Sequence, residues 1–372
     1  LGLKFWNLNE WCCGGDIVKK IKKLSKFLTI IPIIYLLSAC DKNVTISNYN
    51  NHIKEIKIGV TLYNQDDAFI STIVKNIEEI AKDKENDGNY KIIINVLDAR
   101  GSASEQSSQV ERFVSQNYDV ICVNMVDRTT ASTIIDKAKA SNIPVVFFNR
   151  EPVEEDLDRW NKLYYVGAEA EKAGEMQADI IINAYRKNKQ MVDRNGDGKI
   201  QYAMLEGEPG HQDALIRSEY CIKAMEKNGI ELEKVADDTA YWQSAQATAK
   251  MSKWINTYGD KIEVVFSNND DMALGAIQAL EGQNRIKNKP LVIGIDGIPK
   301  ALEAVKKGTM IGTVINDSWK QADAIFNLAY KLATHGDMSS VQGLEKGKYI
   351  RTAHTEVTID NVDLFLKKST DK

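Results

Sequence analysis

The chain has 372 residues, 27% of them charged, and a formal net charge of −4. That length allows two domains with their own cores, and the mild acidity argues against nucleic acid as a partner. Hydrophobic content of 43% and aromatic content of 8% are those of an ordinary globular protein. The cysteines are Cys12, Cys13, Cys40, Cys122 and Cys221, with no CxxC pair and no metal-finger spacing. Cys122 lies in an apolar run and Cys221 in a helical pattern, so both read as buried small hydrophobes.

Lys19, Lys20, Lys22, Lys23 and Lys26 form a basic cluster, and Leu28–Leu37 is apolar apart from Thr29, Pro32 and Tyr35. The run is shorter than the roughly 20 residues a spanning helix needs, so the two together read as a secretory signal. It ends in Leu37-Ser38-Ala39-Cys40, which resembles the bacterial lipobox. The resemblance implies cleavage before Cys40, a diacylglycerol on its sulfur, and a chain anchored to the extracytoplasmic face of the cell membrane. Residues 1–17 fit no part of such a signal. Gly14-Gly15-Asp16 can be encoded as GGAGGTGAT, a ribosome-binding sequence, so translation is expected to start at Val18. Residues 1–17 are then a non-native upstream extension, 18–39 a signal peptide and 40–52 a polar, Asn-rich tether.

From Ile56 the pattern changes. Ile56–Leu62 reads as a strand, followed by Ile70, Ile73, Val74, Ile77 and Ile80 at helical spacing. Further strands are read at Ile92–Leu97, Val120–Met125 and Val145–Phe148, with helices around Val110–Val114 and over Ala131–Ala140. Strands alternating with helices mean βαβ units and a mostly parallel sheet. No GxGxxG follows the first strand, which removes the main support for dinucleotide binding.

The alternation restarts after Tyr164-Tyr165-Val166-Gly167, with a helix over Lys172–Asn188. Next comes Asp193-Arg194-Asn195-Gly196-Asp197-Gly198-Lys199-Ile200-Gln201. It puts oxygen side chains at positions one, three, five and nine of a calcium loop, with Gly198 at the sharp turn and Ile200 facing a core. The bidentate Glu of an EF-hand is missing, because its position holds Met204. The stretch is either a polar surface turn or a calcium loop closed by a carboxylate from elsewhere. Strands follow at Tyr202–Leu205, Glu263–Phe266, Leu291–Ile295 and Gly312–Val314, with helices over Ala214–Asn228 and Met272–Leu280. The expected fold is α/β with two lobes, each a mostly parallel sheet flanked by helices. The N-terminal lobe takes 53–167 and 317–349, and the C-terminal lobe 168–316 and 350–367.

Ligands of open α/β sheets bind at the carboxyl ends of strands. Those positions hold Asp66, Asp67 and Phe69; Asn149; His211, Asp213 and Arg217; Trp242; Asn268, Asn269 and Asp270; Asp296; and Asn316 and Asp317. Singly, each Asp or Asn there is as a rule a helix cap or turn residue, and Asp270 and Asp317 are read so. Together the set suits a sugar. Carboxylates accept, Arg donates, Asn does both, and aromatic faces cover the C–H faces of a pyranose.

The segments Gly59-Val60-Thr61, Val145–Asn149, Gly207–His211, Ile262–Val265 with Asn268-Asn269-Asp270, and Gly312–Asp317 resemble the bacterial galactose/glucose-binding proteins, the sugar receptors of ABC importers. The likeness runs in order from about residue 55 to the end and includes the calcium loop. It implies the periplasmic-binding-protein fold, no catalysis, and D-galactose, D-glucose or a methyl-galactoside as ligand. It implies hydrogen bonds to the sugar from Asp67, Asn149, His211, Asp213, Arg217, Asn269, Asp296 and Asn316, with Phe69 and Trp242 stacked on its two faces. Calcium would be held by Asp193, Asn195, Asp197, the Lys199 carbonyl, Gln201 and Glu263, which supplies the missing carboxylate. Gln212 in place of a common Pro, Trp319 beside Asn316, and Asn64 and Gln65 before Asp67 depart from the family pattern.

The implied mechanism is lobe closure about hinges near Val166–Ala168, Ile315–Asp317 and Lys348–Arg351, followed by delivery to a membrane permease. A monomer is expected, anchored by its lipid and not touching nucleic acid. A sensor that hands sugar occupancy to a chemoreceptor is compatible with the same residues. A sugar-responsive repressor would need a helix-turn-helix N-terminus and a basic face. A glycosidase would need two of Asp67, Asp213 and Asp296 about 5–9.5 Å apart around a bond.

Overall fold

A computed structural model describes residues 54–282 and 289–370. The expected signal peptide, Cys40 and the tether lie outside the described residues. Twelve strands are present: β1 (Lys54–Leu62), β2 (Tyr90–Asp98), β3 (Val120–Val123), β4 (Val145–Phe148), β5 (Leu163–Ala168), β6 (Lys199–Glu206), β7 (Glu231–Thr239), β8 (Val264–Ser267), β9 (Leu291–Asp296), β10 (Gly312–Asn316), β11 (Tyr349–Thr352) and β12 (His354–Thr358). They form two six-stranded sheets, in the orders β11-β5-β4-β3-β1-β2 and β12-β10-β9-β8-β6-β7. All pairings are parallel except β10 with β12. This is the expected two-lobed α/β architecture.

The central strands β3, β4 and β8 are buried along their whole length. Their sequences are continuous apolar runs because helices cover both faces, leaving no side for polar residues. The outer strands β2 and β7 are only partly buried. β7 reads Glu-Leu-Glu-Lys-Val-Ala-Asp-Asp-Thr, and charge on an edge discourages pairing with another chain. In the first sheet, Gly59 lets Phe113 lie flat on β1: a Cβ there would stand 2.7 Å from the ring.

The chain passes between the lobes three times. β5 is followed by helix Ala170–Lys187, which packs on the second sheet. β10 is followed by helix Ser318–Ala333, which returns to the first. The third passage corrects the expected break after residue 349. β11 stays in the first sheet, in register with β5 from Tyr349 opposite Tyr165 to Thr352 opposite Ala168, so the passage falls at Ala353. β12 starts one residue later in the other sheet. His354 touches all three passages: one ring nitrogen is 3.2 Å from the Ile315 carbonyl oxygen and the other 3.1 Å from that of Glu169.

Two further expectations shift. The strand read as Val120–Met125 ends at Val123, which makes Asn124 a strand-end residue. The strand read from Tyr202 begins at Lys199, inside the acidic loop.

Candidate functional site

The carboxyl ends of both sheets face one cavity. The expected residues Asp67, Phe69, Asn149, His211, Asp213, Arg217, Trp242, Asn269 and Asp296 line it. Tyr63 and Arg150 also line it and were not read from the sequence. Phe69 comes from the first lobe and Trp242 from the second, and both are buried. Asn316 is not among the lining residues; its side-chain oxygen accepts from Gln321 Nε2 at 2.5 Å. Asp270 and Asp317 are structural, as read. Asp317 caps helix Ser318–Ala333, and Asp270 accepts from Thr313 Oγ1 and the backbone of Gly297 and Ile298.

Several lining residues are helix caps as well. Asp67 Oδ1 accepts from the backbone N–H of Phe69 and Ile70, both at 2.9 Å, while Oδ2 takes the Tyr63 hydroxyl at 2.6 Å. His211 Nδ1 accepts from the Asp213 N–H at 3.1 Å, which fixes the neutral tautomer with its proton on Nε2. Asn269 Oδ1 caps the next helix at Met272 N, and its Nδ2 donates to the Trp242 carbonyl at 3.3 Å. Helix N-termini therefore converge on the cavity, and each cap keeps a second polar atom beyond the one its helix uses.

Backbone strain gathers at the same place. Asn149 (φ 61°), Tyr241 (φ 51°), Trp242 (φ 63°) and Asp296 (φ 124°) all take conformations that L-residues avoid. Each is held there. Asn124 Nδ2 donates to Asn149 Oδ1 at 3.1 Å, and the Tyr165 hydroxyl donates to the Asn149 carbonyl at 2.8 Å. Trp242 lies flat on Gly207, where a Cβ would stand 2.1 Å from the indole, and its edge meets the His211 ring at 4.9 Å between centroids.

Arg217 stands at the floor of the cavity. Nη1 donates to the Asn268 carbonyl at 2.9 Å. Its carboxylate neighbours are further off: Asp213 Oδ2 at 3.6 Å from Nη2 and Asp296 Oδ1 at 3.8 Å from Nη1. Both distances exceed a hydrogen bond. Arg217 Nε is buried and has no hydrogen-bond partner among the described residues. Burial pushes the Asp296 carboxyl well above the usual carboxylate range and that of Asp213 upward too, with Arg217 opposing both. Burial, then the charges of Arg150 and Arg217, holds His211 well below 6.5, so the ring stays neutral at pH 7. The cavity thus contains buried donors and acceptors that the protein leaves unsaturated, which is costly unless a ligand completes them.

The acidic loop lies elsewhere in the second lobe. Asp193 is buried and accepts from the N–H of Gly196 at 2.8 Å and Gly198 at 3.1 Å. Glu263, also buried, reaches the loop as expected. Its Oε1 accepts from Arg194 N at 2.6 Å and Asn195 N at 3.2 Å, and its Oε2 from Gln201 N at 3.1 Å. Asn195, Asp197 and Gln201 hydrogen-bond among themselves through their side chains at 2.8–3.1 Å. Among the described residues, no three His, Cys, Asp or Glu gather closely enough to hold an ion by themselves. The loop's donor atoms are carboxylate and amide oxygens, a set that suits a hard cation.

This architecture, two mostly parallel sheets with a polar cavity where their strand ends meet, belongs to a known class. Residues 58–337 match the family model described as periplasmic binding protein domain, and the chain belongs to that family. Its relatives include the D-galactose/methyl-galactoside binding periplasmic protein MglB of Haemophilus influenzae, 38% identical over 84% of this chain and 92% of the relative. A xylitol-binding protein of Mycolicibacterium smegmatis is 30% identical over 89% of this chain and 84% of the relative. Among solved structures, an ABC transporter solute binding protein from Bacillus halodurans with bound myo-inositol superposes with a TM-score of 0.69. It is 29% identical and covers 85% of this chain and 98% of its own.

Proposed function

We propose that this chain is the extracytoplasmic sugar-binding component of an ABC importer, which closes over a neutral hexose and delivers it to a membrane permease. The reading rests on one observation above all. In a cavity walled by Phe69 and Trp242, Arg217 stands between Asp213 and Asp296 too far from either to hydrogen-bond. Hydroxyl groups, which donate and accept at once, complete such a set, and a ring with two apolar faces fits between the aromatics. D-Galactose and D-glucose, with methyl-galactoside, are the ligands put forward, supported by the 38% identity to the Haemophilus galactose/methyl-galactoside protein. A sugar that leaves one buried group unpaired loses about 1–3 kcal/mol, which is the source of selectivity. Xylitol- and inositol-binding relatives make the panel of candidates wide. Calorimetry against hexoses, pentoses, inositol and methyl-galactoside tests the proposal; no heat with galactose or glucose refutes it. A galactoside that is cleaved on incubation would make the chain an enzyme instead.

Calcium is proposed as a structural ion of the second lobe, held by Asp193, Asn195, Asp197, the Lys199 carbonyl, Gln201 and Glu263. When bound it supplies positive charge to buried carboxylates and no chemistry in the cleft. Asp193 and Glu263 are buried carboxylates that accept backbone N–H bonds among the described residues, with a 3.7 Å contact from Lys189 at Asp193, which favours the fit. A lipid on Cys40 and residence on the outer face of the cell membrane complete the proposal.

A further inference from the structure

Nothing in the sequence singles out Arg150, yet its surroundings are specialised. It follows β4 in the first lobe, and its guanidinium lies 3.7 Å over the centre of the Tyr63 ring. Nη1 donates to the Val126 carbonyl at 2.7 Å. Nη2 is 2.8 Å from Glu208 Oε2, an ion pair by distance that is not aligned as a hydrogen bond, and its two partners belong to different lobes. The Arg150 side chain is 9% exposed and that of Glu208 30%, so the pair is partly shielded from water. The other charge pairs of the cavity, those of Arg217, stay within the second lobe.

Both ends are tied to the hexose cavity. On one side, Tyr63 carries Arg150 on its face and donates its hydroxyl to Asp67. On the other, Glu208 follows Gly207, on which Trp242 lies, and the Glu208 carbonyl accepts from the backbone N–H of His211 at 3.1 Å. Glu208 is thus tied by one backbone hydrogen bond to His211, which lines the cavity. Arg150 also lines the cavity, whereas Glu208 does not; it lines the more open space outside it, which Arg150 lines too. The pair stands at the boundary between the two.

We infer that Arg150 and Glu208 form a latch that closes the two lobes on each other and sets how fast a bound sugar leaves. This builds on the sugar-binding reading but is separable from it, because a latch also biases the lobes with no sugar present. Both partners must meet for the contact to form, so its energy acts on the closed state alone. Ligand entry happens from the open state and does not feel it.

The test uses Glu208→Gln, which keeps shape and touches no cavity-lining position. Single-molecule energy transfer, with one fluorophore on each lobe of the full chain, reads the ligand-free lobe separation. Stopped-flow with galactose or glucose reads entry and release. Glu208→Gln is expected to shift the ligand-free population toward the open form and to speed release about tenfold, with entry changed less than about threefold. Arg150→Gln combined with Glu208→Gln should release no faster than Arg150→Gln alone, since a broken latch cannot break twice. A ligand-free distribution equal to wild type, or unchanged release from a wild type that does bind hexose, overturns the latch. If the wild type binds no hexose, the sugar reading falls and the ligand-free comparison alone decides the latch.

Discussion

Gly207→Ala puts the steric logic of the cavity under direct load. A Cβ at residue 207 would stand 2.1, 2.2 and 2.4 Å from three atoms of the Trp242 indole. Ordinary carbon contacts are about 3.5–4.0 Å, so the ring or the backbone must retreat by more than about 1 Å. Neither is free to do so. Gly207 N donates to Asn268 Oδ1 at 3.1 Å, and its carbonyl accepts from Thr239 Oγ1. Trp242 sits in a left-handed backbone at φ 63°, with its carbonyl held by Asn269 and its ring edge against His211. Overpacking of this kind costs about 1–3 kcal/mol. The displaced ring moves into the cavity, where it takes the place of ligand. Sugar affinity is therefore expected to fall by about 10- to 100-fold, with a melting temperature lowered by a few degrees at most. Calorimetry and thermal melts measure the two, and indole fluorescence reports the ring. Wild-type affinity together with an unchanged emission spectrum would refute the packing argument.

Other outcomes follow from the same geometry. Trp242→Ala removes one wall and should weaken sugar binding by more than tenfold while the second lobe stays folded, as circular dichroism would record. Asp67→Ser keeps a good helix cap but loses the second oxygen that faces Tyr63 and the cavity. Its stability should stay within about 1 kcal/mol of wild type in urea melts while sugar affinity falls, and equal losses of both would refute the division of labour. Chelation should lower the melting temperature and leave hexose affinity largely intact; an unchanged melt would remove the metal from the proposal. His354 gives a pH prediction. Burial, then the Arg217 charge, brings it down to about 4, whereas an unfolded His titrates near 6.5. Between these values the unfolded chain holds the proton and the folded one does not, so this stability is present above about 6.5 and lost as pH falls toward 4. The stability difference between wild type and His354→Gln should thus shrink by about 3 kcal/mol from pH 7 to pH 4. Asp270, raised to about 6 by burial, works in the opposite direction and cancels in that comparison. A difference that does not move with pH refutes the assignment.

How much the sequence disclosed depended on how each residue is buried. The inner strands announced themselves because burial on both faces forces an unbroken apolar run, as in Val145–Phe148. β7 carries five charged residues in nine and is half-exposed, so neither run nor alternation marks it. β11 and β12 are four and five residues long, and only their partners in two different sheets make them strands. That is why the third passage was read a few residues early. Arg150 and Tyr63 were missed for a related reason. Tyr63 is the first residue beyond β1, and Arg150 follows the strained Asn149. Both stand at strand ends, where the rule directs attention, but Tyr and Arg there carry no signature of their own until folding lays Arg150 over Tyr63 and brings Glu208 beside Arg150. Asn124 was hidden by reading β3 two residues too long.

The larger lesson concerns the bland interpretation of an Asp, Asn or His after a strand. It was right, and it did not compete with the functional one. In a parallel α/β lobe the helix N-terminus lies beside the carboxyl end of the preceding strand, so a cap and a ligand-facing residue are asked for at one position. Asp67 gives Oδ1 to its helix and Oδ2 to the Tyr63 hydroxyl, and as a carboxylate oxygen Oδ2 keeps a lone pair for the cavity it lines; His211 gives Nδ1 and has Nε2 left. Asn269 gives Oδ1 and uses Nδ2 to hold Trp242 in its strained place. A two-headed polar side chain is the cheapest way to meet both demands, whereas Ser would be exhausted by the cap alone. Asp317 shows the converse. It caps helix Ser318–Ala333, its second oxygen is turned to Lys320 at 3.0 Å, and it does not line the cavity. What separates a cap that serves the cavity from one that does not is therefore the fate of its second atom, and only the assembled lobes decide that.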